Sequence, residues 1–406
     1  MNWDRTEHLI PDGVQTLSKM PSKHIDGVYP KYLDRGKGAC VWAGDKEYID
    51  YPCGLGTNLL GYAYPSVVEA VAEAVRNGHL LSLPHKKETE LAELVTDMIP
   101  SAEMVRFLKT GSEATSAAVK IARAYTGREA VVCVGYHGWH DWYSFTTEKN
   151  LGVPKQKVRQ VPYGDFEAIK TAFPNPKIAA VIMEPYIYSV DTQYLKKVRR
   201  YCDAQKAVLI FDEVVTGFRT LKYSAQAYYD VMPDLTCLGK AMANGVPISC
   251  VCGKRDLMNV LTEDCFVSST YGGDLIGINA AIATLTELKT RTVMQHIWNI
   301  GERFQSHFNM ISRAEGYGDQ ITCLGMPPRS YFKFPAPEHK SLFWQECLKK
   351  GVLFGHAQFI SYSHNVPELD KTIIAMRHGM KMVRKYYEAP EKALEGNVAT
   401  ETLRRS

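Results

Sequence analysis

No apolar stretch in this 406-residue chain approaches the roughly 18 residues that a membrane-crossing helix needs, so no membrane span is expected. Excess charge of one sign is scarce too. Lys and Arg number 48 against 44 Asp and Glu, a net +4 with no basic run, and no nucleic-acid partner is expected. The opening residues MNWDRTEHLI lack a basic leader with an apolar region behind it, so no signal peptide is expected. Internal repeats, low-complexity linkers and a G-x-x-x-x-G-K-[ST] loop are all missing, and with the last goes the usual cradle for a nucleoside triphosphate. Among ten cysteines only Cys250 and Cys252 sit close together, on one face of a strand-like run. A disulfide framework or zinc site is therefore not expected, and the thiols suit a reducing cytoplasm. What is present is 45% hydrophobic and 23% charged residues, a globular composition that excludes a disordered chain. The length suits two or three domains.

Residues 1–50 mix Gly and Asp turns with short strand-like pieces, Ala39–Trp42 and Glu47–Tyr51. Ser66 and Glu69 are spaced as a capping box, followed by an apolar helical stripe that ends near Gly78. A second helix is expected near Glu88–Met98. From about 103 to 290 strands and helices alternate. Met104–Leu108, Ala130–Val134, Ile178–Met183, Ala207–Phe211, Leu235–Leu238 and Ile248–Val251 read as strands, and Ser112–Tyr125 and Leu195–Ala204 as helices. Short, continuously apolar strands alternating with helices argue for a mostly parallel sheet covered on both faces. Beyond about 295 the pattern turns α+β, with a helix near Glu368–Tyr387 and a polar, frayed tail over 388–406. The fold class is α/β. A large domain spans 51–294, and a smaller α+β domain is built from 1–50 and 295–406.

Four strand ends hold chemically suggestive residues. Gly111-Ser112 opens a helix after a strand, where free N–H groups and the helix dipole favour an anion; an ordinary N-cap has the same sequence. Asp212-Glu213 follows AVLIF at the carboxyl end of a buried strand, the edge where α/β sheets bind ligands; a polar strand terminus would also fit. Lys240 follows LTCLG, where a lysine leaving apolar surroundings can serve as an amine nucleophile; a solvated lysine is the plain alternative. Gly135-Tyr136-His137-Gly138-Trp139-His140 offers aromatics between glycines, suited to a stacking wall. His137 and His140 lack a third ligand, so no metal site is expected and His137 reads as a hydrogen-bonding or packed histidine. An anion cradle, a stacking wall, a buried acid and an amine on one sheet edge together suit pyridoxal 5′-phosphate.

The stretches VRFLKTGSEATSAAVKIARAYTGRE, GYHGWHD, VIMEP, LIFDEVVTGFR, LGKAMANGVPIS and STYGGDLIGINAA carry a resemblance in order and spacing. The chain resembles the class III (subgroup II) aminotransferases of PLP fold type I, and within them the branch holding glutamate-1-semialdehyde aminomutase. The resemblance implies that Lys240 links covalently to the cofactor and moves the substrate proton. It implies that Asp212 pairs with the pyridine nitrogen, that Gly111 and Ser112 hold the phosphate, and that Tyr136 and Val214 cover the two ring faces. His137 and Glu184 would belong to the same pocket. Thr270 would reach the neighbouring subunit's phosphate, which implies a homodimer with shared active sites.

Substrate-side positions depart from the aminomutase pattern. Leu55 replaces a tryptophan, Lys19 aligns with an arginine, Ile360 aligns with a glutamate, and Ala243-Asn244-Gly245 replaces three glycines; Trp139 joins the expected substrate residues. Arginine grips a carboxylate with a fork that lysine lacks. The expectation is an aminotransferase that moves an amino group from a small-molecule donor, such as glutamate, to an aldehyde or ketone that could be sugar-derived, by a ping-pong cycle. Aminomutase activity is the alternative, and a non-catalytic module on the same fold a remote one.

Overall fold

The computed structural model describes residues 3–173, 177–185 and 192–400. The chain divides into two compact units, 65–294 and a second formed by 1–64 with 295–404.

The first unit is built on a seven-stranded sheet. In chain order its strands are β1 (Met104–Leu108), β2 (Ala130–Val134), β3 (Val158–Gln160), β4 (Ile178–Met183), β5 (Val208–Asp212), β6 (Leu235–Leu238) and β7 (Ser249–Gly253), and across the sheet they run β1-β7-β6-β5-β4-β2-β3. Only β7 is antiparallel to its neighbours, so the other six strands point the same way. All residues of β4, β5, β6 and β7 are buried, as both faces of a covered sheet require. A buried Val or Ile in such a strand contributes about 1.5–3 kcal/mol of hydrophobic stabilisation.

Helix α1 (Gly111–Thr126) packs a stripe including Ala114, Ala118, Ile121 and Ala122 into this core. Its start is fixed by a capping box between Thr110 and Glu113, and its end by Gly127 at φ 64°. The box expected at Ser66 and Glu69 does not form. That helix begins at Pro65, whose locked φ suits the first helical position, so Ser66 falls inside the first turn. Glu69 instead accepts from Arg76 Nη1 at 2.8 Å, and the Ser66 hydroxyl is buried with no partner among the described residues.

The second unit holds a four-stranded sheet, Arg35–Lys37, Cys40–Ala43, Lys46–Asp50 and Val352–Leu353, and a three-stranded one, Thr322–Met326, Arg329–Lys333 and Gln358–Phe359. Phe304, Phe308, Phe332, Phe343 and Phe354 form its aromatic core, with Phe308 and Phe332 stacked at 4.5 Å. Residues 51–64 are tied into this unit. Gly38 and Tyr62 exchange backbone hydrogen bonds, and the Tyr62 hydroxyl donates to Asp50 Oδ2 at 2.7 Å.

The tail is not frayed up to Thr400. Glu395 N–H donates to Gln345 Oε1 at 2.8 Å, Asn397 N–H to Asp26 O at 2.9 Å and Thr400 N–H to Ser22 O at 2.8 Å, while Ala399 is fully buried. Its polar side chains hid this, because the tail is held mainly by its backbone N–H groups. Ending the chain at Glu388 removes these bonds. A loss of about 2–4 kcal/mol is expected at about 1 kcal/mol per hydrogen bond plus the exposed apolar surface. Thermal unfolding of the shortened chain checks this; an unchanged midpoint would show that the tail contributes nothing. Among the described residues no helix is long and apolar enough to cross a membrane.

Candidate active site

Because β1, β2, β4, β5 and β6 point the same way, their carboxyl ends share one edge of the sheet. Gly111-Ser112, Tyr136-His137, Glu184, Asp212-Val214 and Lys240 all follow those ends.

The anion cradle lies at the start of α1. Thr110 satisfies the N–H groups of Glu113, through its hydroxyl, and of Ala114, through its carbonyl. The helical ladder offers no acceptor to the N–H groups of Gly111 and Ser112, which remain for a ligand. A Cβ on Gly111 would lie 2.9 Å from Val214 Cγ1, so only glycine fits there without displacement. Gly138, at φ 98°, passes so close to Ser112 that a Cβ would lie 2.3 Å from its Oγ. Ser112 Oγ also accepts from Trp139 N–H at 3.3 Å.

Asp212 is 6% exposed. Its Oδ2 accepts from His137 Nδ1 at 2.8 Å and its Oδ1 from Val214 N–H at 3.1 Å. The other ring nitrogen of His137 donates to Val134 O at 3.0 Å. Both ring nitrogens thus face oxygens, Nδ1 a carboxyl oxygen and Nε2 a backbone carbonyl. His137 therefore holds the buried Asp212 carboxyl in place from the end of β2. Its carbonyl accepts from Thr115 Oγ1 at 2.8 Å, tying this turn to α1.

Glu213 takes no part in this cluster. It is fully buried and accepts from Ala225 N–H at 2.5 Å and from Gln226 N–H and Nε2, at the start of helix Ala225–Tyr229. Burial pushes its carboxyl up to about 7. The acidic dipeptide thus splits into one site acid and one helix anchor.

Lys240 is half-buried and opens the short helix Lys240–Ala243 with φ 43°. A lysine in this left-handed region costs about 1–3 kcal/mol, a strain that recurs at functional sites. The preceding Gly239 lies against the same Val214, with a Cβ reaching within 3.6 Å of Val214 Cγ1. Val214 thus touches both the cradle and the strand end bearing the lysine. Tyr136 is 43% exposed and stands edge-on to Tyr143 at 5.5 Å. Glu184 is buried beside β2, its N–H donating to Val134 O at 3.4 Å, while its Oε1 is buried without a partner among the described residues. Such an orphaned carboxylate oxygen invites a ligand donor.

Thr270 is exposed in the segment before helix Leu275–Thr290 and makes no hydrogen bond to this cluster among the described residues. Trp139 is 72% exposed beside Ser112. Lys19, Leu55 and Ile360 belong to the other unit. Lys19 is exposed at the end of the turn Leu17–Lys19. Leu55 has φ 63° within Cys53–Gly56, a turn whose four residues all have positive φ. Ile360 is fully buried, one residue past Phe359, whose ring would meet a Cβ on Gly56 at 2.7 Å. The structure thus brings Leu55 near Ile360 through their neighbours, and among the described residues Lys19 joins neither by a hydrogen bond or ring contact. The His137–Asp212 pair was not anticipated from the sequence. Its only signal was that both residues stand at strand ends, 75 positions apart.

An open N–H cradle, an exposed tyrosine, a buried carboxylate held by a histidine and a strained lysine fit the phosphate, ring, pyridine nitrogen and aldehyde of pyridoxal phosphate. Among the described residues no group of three or more His, Cys, Asp or Glu could hold a metal ion.

Comparison with known proteins agrees. The family Aminotransferase class-III matches residues 23–362. The 3-aminobutyryl-CoA aminotransferase of Cloacimonas acidaminovorans is 31% identical, covering 94% of this chain and 96% of its own. The glutamate-1-semialdehyde 2,1-aminomutase of Methanothrix thermoacetophila is 33% identical over 93% and 95%. Among solved structures, the PLP internal aldimine form of the FumI protein of Sphingopyxis sp. MTA144 superposes with a TM-score of 0.90 at 27% identity, covering 98% of this chain and 97% of that one. The chain belongs to the class III aminotransferases and is a pyridoxal-phosphate-dependent enzyme.

Proposed function

We propose that this enzyme moves an amino group from an amino donor such as glutamate to an aldehyde or ketone in two half-reactions, as a homodimer. The observation that supports it most is the His137–Asp212 pair, buried on the same sheet edge as the Gly111-Ser112 cradle and the strained Lys240. A module that only bound ligands would need neither the buried His137–Asp212 pair nor the strained amine.

Pyridoxal phosphate, when bound, supplies a ring that accepts the electron pair released at the substrate carbon next to nitrogen. The chain's own residues do the rest. Gly111 and Ser112 hold the phosphate through their N–H groups and the hydroxyl. Asp212 keeps a negative charge opposite the pyridine nitrogen, and His137 keeps Asp212 in place. Tyr136 covers one ring face and Val214 the other. Lys240 binds the cofactor and then carries the proton to and from the substrate carbon. Glu184 offers its unpartnered oxygen to a donor in the pocket, and Thr270 reaches the neighbouring subunit's phosphate.

Relatives are named for a CoA-linked amine and for an aminomutase, and a sugar-derived carbonyl is a further candidate acceptor. The aminomutase reading is disfavoured by Leu55, Ile360 and Lys19, which remove an aromatic wall, an acid and a planar cationic fork from that pattern. Glutamate-1-semialdehyde given without another donor should yield only traces of 5-aminolevulinate. An external donor should change the cofactor's absorbance. Product formation at about 1 per second or faster would restore the aminomutase reading.

Gly138→Ala tests the cradle. The new methyl would collide with Ser112 at a position where φ is already positive, so the turn must shift. Cofactor retention in dialysis should fall at least tenfold, about 1.4 kcal/mol or more. Unchanged retention would remove Ser112 from the phosphate site.

A further inference from the structure

Beside the cradle, α1 and the turn after Gly138 border an open cavity of about 560 Å³. Trp139 lines it with 72% of its surface exposed, and Lys120 and Arg123 line it one and two turns along α1 from Ser116. Ser116 Oγ is shared between His140 Nδ1 at 2.7 Å and the Trp142 indole N–H at 3.0 Å, which fixes the cavity floor. Neither Lys120 nor Arg123 has a carboxylate within ion-pair distance among the described residues. Lys120 Nζ donates to Phe266 O at 2.7 Å and Arg123 Nε to Glu129 O at 2.9 Å. Arg123 is half-buried, and burial holds its guanidinium below its ordinary value. The nearby Glu129 carboxylate offsets this only in part, so an anion that enters stabilises the half-buried cation further. Asp141, exposed on the rim, is an acceptor suited to sugar hydroxyls.

An open indole, two cations and a rim carboxylate match an aromatic base, a phosphate and a ribose. Their volume suits a ligand of that size. The Trp139 N–H to Ser112 Oγ bond places this cavity next to the catalytic cradle. We infer that the cavity formed by Trp139, Lys120, Arg123 and Asp141 binds the nucleoside-phosphate handle of a substrate whose reacting end enters the adjacent site. This rests on the aminotransferase reading above.

The test is calorimetric titration of the cofactor-loaded enzyme with adenosine 3′,5′-bisphosphate, thymidine 5′-diphosphate and inorganic phosphate. One nucleotide should bind more tightly than phosphate, and Trp139→Ala and Arg123→Gln should each weaken it at least about tenfold. Preference for the adenosine bisphosphate indicates a coenzyme-A-type handle, and preference for the thymidine diphosphate a sugar nucleotide. The inference is overturned if neither nucleotide binds, if phosphate binds as tightly, or if both variants bind like the parent enzyme. The half-reaction of the parent enzyme with small amino donors, followed by absorbance, tests the transferase reading separately.

Discussion

Lys240→Ala is expected to abolish turnover, by a factor of at least about 10⁴, because it removes both the covalent anchor and the proton carrier. Borohydride should then fix no cofactor to the chain, and peptide mapping of the parent enzyme should find the label on Lys240. A labelled peptide from elsewhere would refute the assignment. Strain makes a second comparison informative. At φ 43° alanine keeps the penalty that lysine bears, whereas glycine relieves it. Lys240→Gly should therefore be as inactive as Lys240→Ala yet more stable by about 1 kcal/mol in thermal unfolding. That pairing separates a residue held for its chemistry from one held for its packing. If neither variant lost activity, the strained backbone at this strand end would have no functional meaning.

Much of the large unit was legible in the sequence because its strands are apolar on both faces. Met104–Leu108, Ala130–Val134, Ile178–Met183 and Leu235–Leu238 are continuous apolar or nearly apolar runs bounded by turns, and the structure places strands over the same residues. Candidate residues followed from position alone, since a parallel sheet collects its carboxyl ends on one edge. What the sequence could not display was strand order. His137 and Asp212 lie at the ends of β2 and β5, which are separated in the sheet by β4, and no local pattern records that spacing. The reversed direction of β7 was equally silent, since a buried strand is apolar whichever way it runs. The left-handed turn Cys53–Gly56 shows a different limit. Gly54 and Gly56 permit positive φ, but Cys53 and Leu55 adopt it against their own preference. Asp50 Oδ2 accepts the Cys53 N–H at 2.8 Å, and Cys53 Sγ donates to Phe359 O at 3.3 Å, so tertiary contacts hold what local sequence disfavours.

Asp212→Asn is expected to slow the chemical step by about 10²–10³, the scale seen when one preorganised charge partner is removed from a transition state. The substitution is nearly isosteric, so the argument concerns charge and proton placement. In the parent enzyme Asp212 accepts on both oxygens, from His137 and from Val214. An amide has a single acceptor oxygen. If that oxygen keeps the Val214 N–H, its NH₂ faces His137, and the ring must surrender its Nδ1 proton to accept. If the oxygen faces His137, two N–H groups collide at Val214. Either way the negative charge is lost. The fold should tolerate this, because Val134 and Thr115 still hold the histidine turn. Thermal unfolding should therefore shift little while the rate falls steeply. Single-turnover absorbance with an amino donor makes the measurement, since it isolates proton removal from product release. His137→Phe supplies the control: it leaves the carboxylate charged but removes its positioning donor, so its loss should be smaller than that of Asp212→Asn. A near-normal single-turnover rate in Asp212→Asn, or an equal loss in both variants, would show that the acid acts only as a scaffold for the histidine and not as the charge partner of the ring.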